Sequence, residues 1–158
     1  MLKKTASYTL KEATKKLEGY CAYQERCHQE VNQKLCEMGM IPEAIDQIIA
    51  HLIKENYLNE ERFAQSFARG KFNIKKWGKN RISNELEQRH ISKYNIKTAL
   101  KEINDETYLD TLAALAEKRL EAIKEANKQK RRKKLADYLL YRGWDSHLVY
   151  AKISELIP

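Results

Sequence analysis

The amino-acid sequence predicts an all-α protein in which three tandem three-helix units form an elongated, curved repeat. Glycine and proline, with 5 and 2 residues among 158, are too scarce for a sheet protein with many tight turns. Charged residues make up 33% of the chain and hydrophobic residues 42%, a balance typical of a folded protein. The third observation is an internal repeat, which divides the chain into units of about 50 residues.

The repeat is anchored on Leu35, Leu86 and Leu139, which recur at intervals of 51 and 53 residues. Neighbouring positions are apolar in all three units, with no gap over the 22 aligned positions that begin at Val31. The aligned apolar sets are Val31, Ile82, Leu135; Met40, Ile91, Trp144; Ile45, Ile96, Val149; Ile49, Leu100, Ile153; and Leu52, Ile103, Leu156. Chance does not readily produce agreement of this extent, so three copies of one helical unit are predicted.

A break between the second and third helices is predicted at the same place in every unit. The residues where a helix should end in a left-handed conformation are Gly39, His90 and Gly143. Glycine adopts this conformation freely, and histidine is among the residues that tolerate it. The next helix has a good N-cap in Ser92 and Asp145, whereas the first unit has Pro42 at the first helical position.

The first helix of each unit is predicted from apolar residues spaced three or four apart. These residues are Leu10, Ala13, Leu17, Tyr20, Cys21 in unit 1; Phe63, Ala64, Phe67, Ala68, Phe72 in unit 2; and Leu109, Leu112, Ala113, Ala116, Leu120, Ile123 in unit 3. Asp105 is expected to cap the third of these helices, which should run to about Ala126. The units are therefore placed at residues 1–56, 57–104 and 105–158, and a compact single bundle is the structural alternative.

Compartment and cofactor use follow from what the sequence lacks. It has no run of 18 apolar residues and no apolar segment after its basic start, which predicts a cytoplasmic protein without membrane contact. In that compartment Cys21, Cys27 and Cys36 are expected to be reduced thiols. Their spacing, even with His28, fits no common zinc pattern, so no metal or other cofactor is predicted.

No catalytic constellation is recognisable in the sequence. It contains neither a GxxxxGK[ST] phosphate loop nor a GxGxxG motif. The four histidines are spread over the three units, and none has a nearby nucleophile together with a third, orienting residue. The sequence therefore predicts a protein that is not an enzyme.

The net charge of +8 is unevenly distributed. Residues 1–54 carry +1, residues 55–104 carry +5 and residues 105–158 carry +2. A basic excess concentrated in one part of a chain suggests a polyanion or an acidic protein surface as partner. A solvated basic surface without a partner is the alternative interpretation.

Two basic clusters are candidate contact sites for such a partner. The middle-unit cluster comprises Arg62, Arg69, Lys71, Lys75, Lys76, Lys79, Arg81 and Arg89. The basic run comprises Lys128, Lys130, Arg131, Arg132, Lys133 and Lys134. Arg62 and Arg69, seven residues apart, could present a row of guanidinium groups to phosphates or carboxylates. Phe72 and Trp77 interleave with the lysines, which would suit base stacking, but core packing is the favoured interpretation for both.

Two motifs accompany these clusters. The first is Glu61-Arg62-Phe63-Ala64, Ser66-Phe67, Arg69, Gly78, Arg81-Ile82 and Glu85-Leu86; the second is Arg131-Arg132-Lys133-Lys134-Leu135, Tyr138-Leu139 and Arg142-Gly143-Trp144. In this order they resemble the RecX family, bacterial regulators of the RecA recombinase. The chain has Trp77 where the family usually has tyrosine, and Trp144 where it usually has phenylalanine.

The resemblance implies the same tandem three-helix architecture and a cytoplasmic protein that acts in DNA repair, recombination and the SOS response. Such a protein associates with RecA filaments on single-stranded DNA, with double-stranded DNA as a further candidate ligand. It would limit filament extension, strand exchange and co-protease activity, acting as a monomer through the two basic clusters. A helical-repeat nucleic-acid-binding protein without a RecA partner is the alternative function.

The repeat makes a direct prediction about stability. Replacing Leu86 with alanine should lower the free energy of unfolding by about 2–5 kcal/mol, because an anchor leucine of a packed helical unit leaves a cavity when truncated. Chemical denaturation followed by circular dichroism measures this change. An unchanged unfolding curve would show that Leu86 lies outside the core.

Overall fold

The computed structural model describes residues 7–158, and within that range the chain forms nine α-helices and no strand. The all-α prediction is confirmed, and the helices occur as three consecutive sets of three. They are α1 Leu10–Tyr23, α2 His28–Glu37, α3 Pro42–Lys54, α4 Glu60–Asn73, α5 Lys79–Gln88, α6 Lys93–Lys101, α7 Asp105–Ala122, α8 Lys128–Tyr141 and α9 Ser146–Leu156.

The turn between the second and third helices has the same conformation in all three units. The φ angles are 78° at Gly39, 59° at His90 and 90° at Gly143. The N–H of the following residue donates to the carbonyl of the anchor leucine, at 3.1 Å for Leu35, 3.1 Å for Leu86 and 3.2 Å for Leu139. Since each anchor leucine is fully buried and also closes the helix end, the repeat reflects both packing and backbone geometry.

Helix α7 differs from its prediction at both ends. Its N-cap is Asn104, whose side-chain oxygen accepts from the Thr107 N–H at 3.1 Å, and Asp105 is the first helical residue. Asn104 and Asp105 are both competent caps, and an acidic first residue also suits the positive end of the helix. The helix ends at Ala122 rather than near Ala126, because Ile123 is extended with a ψ of 113°.

The buried side chains form two hydrophobic clusters rather than three. One cluster is formed by unit 1 together with Leu58 from the α3–α4 connection, and it includes Leu17, Leu35 and Leu52. The other is continuous through units 2 and 3, and it also contains Cys27 from the loop before α2. Units 2 and 3 therefore share one core, and the domain boundaries placed at 56/57 and 104/105 stay predictions about independent folding.

The accessible surface is large for a chain of this mass, as expected for an elongated repeat. The chain exposes 10448 Å² at 18.6 kDa. A compact monomer of that mass exposes about 8,200 Å², so the surface here is roughly a quarter larger. The excess arises because tandem units bury side chains mainly against their neighbours in sequence.

Units 2 and 3 meet through backbone contacts at a region that we call the joint, formed by residues 75–81 and 141–144. The Gly78 N–H donates to the Arg142 carbonyl at 2.8 Å, and the Asn80 N–H donates to the Gly143 carbonyl at 3.1 Å. A Cβ on Gly78 would overlap the Gly143 carbonyl. The close approach of the two segments therefore requires glycine at position 78.

Aromatic side chains fill the space beneath the joint. Tyr108 lies 4.5 Å from Trp144 and 5.9 Å from Phe72, measured between ring centroids. The indole N–H of Trp144, which is 1% exposed, donates to the Lys76 carbonyl at 3.1 Å, and Lys76 itself has a left-handed φ of 58°. The Tyr108 hydroxyl accepts from the Lys79 N–H at 3.0 Å, and burial raises the pKa of this tyrosine. Phe72 is thus a core residue, as the sequence predicted.

The joint can be tested with two glycine substitutions in unit 2. Gly78→Ala should lower the free energy of unfolding by about 1–3 kcal/mol, because the added methyl group meets backbone that cannot move aside. Gly70→Ala is the matched control, since a Cβ there meets nothing within 4 Å and replaces glycine within α4. The control should be neutral or stabilising by up to about 1 kcal/mol. Equal loss of stability in both variants, measured by urea denaturation, would contradict this account of the joint.

Candidate partner and nucleic-acid interface

The predicted basic residues divide into two groups according to whether a carboxylate lies within 4.0 Å of the charged nitrogen. The paired residues are Arg62 with Glu25, Arg69 with Glu102, Lys79 with Asp105, Arg89 with Glu85, Lys133 with Asp137 and Lys134 with Glu125. Among residues 7–158, those with no such partner are Lys71, Lys75, Lys76, Arg81, Lys128, Lys130, Arg131 and Arg132. Unpaired cations are the ones most available to a new anionic partner.

The guanidinium group of Arg62 is used inside the protein. Its Nε donates to Glu25 at 2.6 Å, its Nη1 to the Asn56 side chain at 3.2 Å, and its Nη2 to the carbonyls of Asn56 and Tyr57. These contacts tie α4 to the α1–α2 loop and to the α3–α4 connection. Arg69 instead pairs with Glu102 next to α6, at 3.0 Å, so the two guanidinium groups point to different neighbours and do not form one row.

Cations and aromatic rings alternate along one side of units 2 and 3, in an arrangement that we call the cation–aromatic column. Its members in order are Arg89, Phe67, Lys71, Trp77, Arg81 and Tyr141. Successive cation-to-ring distances are 4.9, 5.5, 4.9, 4.2 and 4.9 Å, all within the range of cation–π attraction. The column crosses the joint, because Tyr141 belongs to unit 3 and the other members to unit 2.

Trp77 packs against the core and is also contacted by cations. Its ring packs against the shared core and lies 6.4 Å from Phe67, so part of it is structural. Lys71 and Arg81 cover the remaining ring surface. Phe67 is likewise only half-buried, although its place in the apolar stripe of α4 predicted a core residue. The outer side of the ring is contacted by the charged groups of Arg89 and Lys71, at 4.9 and 5.5 Å, and not only by apolar side chains.

The basic run forms the beginning of α8, at an unfavourable position for positive charge. The first turn of α8 contains no acidic residue, although the N-terminus of a helix favours anions. Lys134 lies 3.4 Å from Glu125, and the Asn127 N–H together with Lys134 lowers the pKa of that carboxyl. Arg132 donates from its Nε to the Ile157 carbonyl at 2.9 Å and thereby closes the end of α9. The basic charge of this run is therefore only partly offset within the protein.

One stripe of α8 connects the basic run with the column, and sequence reasoning did not single it out. It consists of Arg131, Lys134, Tyr138 and Tyr141, at spacings of three, four and three residues. The guanidinium groups of Arg119 and Arg142 both lie over the Tyr138 ring, at 4.4 and 4.8 Å. The helical spacing of two tyrosines with basic residues was the signal in the sequence that could have indicated this surface.

The cysteine thiols and His28 have separate surroundings in the part of the chain that the structure describes. No group of three histidine, cysteine or acidic side chains there could hold a metal ion. Cys21 and Cys27 are buried, and burial raises the pKa of each thiol to about 11, whereas Cys36 is exposed. His28 faces Glu60 at 3.5 Å instead of a cysteine. Between residues 7 and 158, no helix has the length and apolar character needed to cross a membrane.

Two family models match the chain, and together they cover units 2 and 3. The model described as RecX, second three-helix domain, matches residues 59–100. The model described as RecX, third three-helix domain, matches residues 106–153. These ranges contain α4, α5 and α8 entirely, and therefore both sides of the joint.

Curated relatives and solved structures agree with these matches. The Regulatory protein RecX of Prosthecochloris aestuarii is 31% identical over 139 residues, which cover 88% of this chain and 89% of that protein. The protein of the same description from Clostridioides difficile is 30% identical over 72% of this chain and 53% of its own length. For Bacillus cytotoxicus the identity is 26%, with coverage of 87% and 51%. The chain thus spans about half the length of several curated relatives that it matches.

The structural neighbours have the same fold. A crystal structure of RecX from Lactobacillus salivarius superposes with a TM-score of 0.80 and 24% identity, covering 93% of this chain and 96% of that chain. A crystal structure titled regulatory protein RecX gives a TM-score of 0.82, also at 24% identity, and covers 92% and 71%. Both show the fold over more than nine-tenths of the chain, including most of unit 1.

The different surroundings of Arg62 and Arg69 lead to different expected costs of substitution. Arg62→Gln should lower the free energy of unfolding by about 1–3 kcal/mol, because Glu25 and two carbonyls lose a charged donor. Arg69→Gln removes a solvent-exposed ion pair and should change stability by less than about 1 kcal/mol. Thermal and urea unfolding of the two variants gives the comparison. A larger loss at Arg69 than at Arg62 would refute the assignment.

Proposed function

The chain belongs to the RecX family, and from that premise we propose that it regulates the RecA recombinase by binding RecA filaments on single-stranded DNA. Bound to a filament, it limits filament extension, strand exchange and co-protease activity. In this proposal the protein acts in the cytoplasm, as a monomer and without catalysis of its own. Single-stranded DNA is the main nucleic-acid ligand, and double-stranded DNA is a further candidate.

The observation that carries the proposal is the match of units 2 and 3 to two successive RecX domains. Proteins that match most of the chain carry the description regulatory protein. The basic surface of the chain lies on these same two units. The family matches and the basic surface therefore lie on the same part of the molecule, units 2 and 3.

The shape of that surface suits an extended partner better than a small ligand. The cation–aromatic column and the α8 stripe follow one another from Arg89 to Arg131 across two units. A filament repeats the same surface many times, and a long contact on one side of a protein can span adjacent subunits. A protein bound in this way restrains an assembly when it is present at fewer copies than the assembly has subunits.

We propose contact roles for the predicted residues according to their present partners. The unpaired cations are the primary contacts. The paired residues Arg69, Lys79, Arg89, Lys133 and Lys134 can exchange partners, because exposed ion pairs contribute little stability. Arg62 instead holds unit 1 against unit 2, so its effect on a partner is indirect.

The alternative is a helical-repeat protein that binds nucleic acid without a RecA partner. The unpaired cations at the joint favour it, since they would bind a polyanion whatever protein is present. The two functions differ in stoichiometry. Competition for DNA needs enough protein to cover the strand, whereas filament binding does not.

Titration against preformed RecA filaments separates the two functions. Substoichiometric protein should reduce ATP hydrolysis and strand exchange by RecA already assembled on single-stranded DNA. Arg69→Glu should weaken this inhibition more than it weakens binding to bare DNA, because a guanidinium fork favours protein carboxylates. Arg62 is left unchanged, so that loss of its internal contacts does not confuse the result.

DNA affinity of both proteins is measured in parallel under the same salt conditions. Inhibition that appears only when the protein saturates the DNA would establish the plain nucleic-acid binder. The same conclusion would follow if inhibition and DNA affinity changed by equal factors in the variant.

A further inference from the structure

We propose that the joint between units 2 and 3 is a stacking site for single-stranded nucleic acid that exists only while the two units are docked. In this site a base stacks on Tyr141, and phosphates lie on Lys75, Lys76 and Arg142. This site would be the nucleic-acid surface of the proposed regulator. It rests on the proposed function only in that the bound strand belongs to a RecA filament.

Most of the positive charge at the joint has no acidic counterpart in the described residues; the exception is Lys79, which lies 3.7 Å from Asp105. The joint cations without a carboxylate within 4.0 Å are Lys75, Lys76, Arg81 and Arg142, and Lys71 next to the joint has none either. Two of them are fixed by neutral groups, since Arg142 donates to the Lys75 carbonyl at 2.7 Å and Arg81 donates to the Tyr141 carbonyl at 3.4 Å. These hydrogen bonds position the charges without neutralising them. Mutual repulsion remains, and a bound polyanion would remove it.

The aromatic component is an exposed ring that is already held in place. Tyr141 is 77% exposed, and its ring is contacted by Arg81 at 4.9 Å. Arg81 is in turn held by Trp77 at 4.2 Å. A ring that is fixed from one side and open to solvent stacks a base at low cost in conformational entropy.

Together these features favour a single strand over a duplex or an acidic protein. A duplex keeps its bases stacked on each other, so its phosphates could use the lysines but its bases could not use Tyr141. Protein carboxylates could pair with Arg81 and Arg142, but they would leave the exposed ring without a partner. An unpaired strand uses both the cations and the ring.

The α8 stripe continues the path away from the joint. From Tyr141 the strand would pass Tyr138, which lies between Arg119 and Arg142, and reach Lys134 and Arg131. Ten residues of α-helix separate Arg131 from Tyr141, a distance of about 15 Å. The site is therefore long enough to hold more than one nucleotide.

Both units contribute to the site, and this links binding to docking. Lys75, Lys76 and Arg81 come from unit 2, whereas Tyr141 and Arg142 come from unit 3. A ligand that binds only the docked arrangement stabilises that arrangement by mass action. Nucleic acid should therefore raise the unfolding temperature of the chain. A substitution that loosens the joint without changing its surface groups should weaken nucleic-acid binding.

The experiment measures binding of a fluorescent oligo-dT strand and of a duplex of equal length by anisotropy, with no recombinase present. Tyr141→Ala should lower affinity for the single strand by roughly tenfold, the effect of losing one stacked base. Tyr141→Phe should retain most of the affinity. Tyr23→Ala is the matched control, because Tyr23 is 84% exposed but belongs to unit 1, and it should leave affinity unchanged.

Two further measurements address charge and docking. Replacing Lys75 and Lys76 with glutamine should lower the slope of log affinity against log salt by about 0.7 for each lysine. Gly78→Ala, which adds no group to the surface, should lower oligo-dT affinity by several-fold. Circular dichroism confirms that each variant remains helical at the assay temperature.

Specific results would overturn the proposal. One is an equal effect of Tyr141→Ala and Tyr23→Ala on oligo-dT affinity. Another is an equal loss for duplex and single strand, which would leave a phosphate surface without base stacking. Normal oligo-dT affinity with lost filament inhibition in Tyr141→Ala would assign the surface to a protein partner, and the proposed function would stand. If the wild-type protein binds oligo-dT through Tyr141 but has no effect on RecA filaments, the stacking site stands and the proposed function is refuted.

Discussion

At the crossing of Gly78 and Gly143, two backbone segments from different units approach closely with no side chain between them, and the placement of units 2 and 3 depends on this contact. The N–H of Gly78 is satisfied by the Arg142 carbonyl instead of by water or a side-chain cap. This short approach lets Trp144 reach the carbonyl of Lys76, and it brings Tyr141 over Arg81. The shared aromatic core and the cations at the joint therefore both depend on the close approach of Gly78 to Gly143.

The repeat in the sequence and the organisation of the core differ, and the difference has a physical cause. The anchor leucines and left-handed turns are equivalent in all three units. The side chains that join one unit to the next are not repeated. Tyr108 and Trp144 merge the cores of units 2 and 3, whereas unit 1 is attached through Cys27 and the polar contacts of Arg62. Equivalent helices thus form a continuous pair of units and one more separate unit.

Local rules were sufficient for features that are determined within a few residues. The positive φ of His90 and the cap at Ser92 could be predicted, because neighbouring backbone atoms decide them. The first residue of α7 could not be predicted, since Asn104 and Asp105 are both competent N-caps. The role of Arg62 and the exposure of Tyr141 were also beyond prediction. Their partners, Glu25 and Arg81, lie 37 and 60 residues away in sequence, and only the tertiary arrangement brings them together.

Lys76 holds a left-handed backbone conformation that costs a non-glycine residue roughly 1–2 kcal/mol. The Lys76 carbonyl accepts from the Trp144 indole N–H, and the N–H groups of Lys76 and Trp77 donate to the Phe72 and Lys71 carbonyls. The end of α4 and unit 3 therefore both hold this conformation. Separation of the units would leave the Lys76 carbonyl and the Trp144 indole N–H without their partners, whereas the bonds to α4 would remain. The α4–α5 connection is therefore fixed from both units.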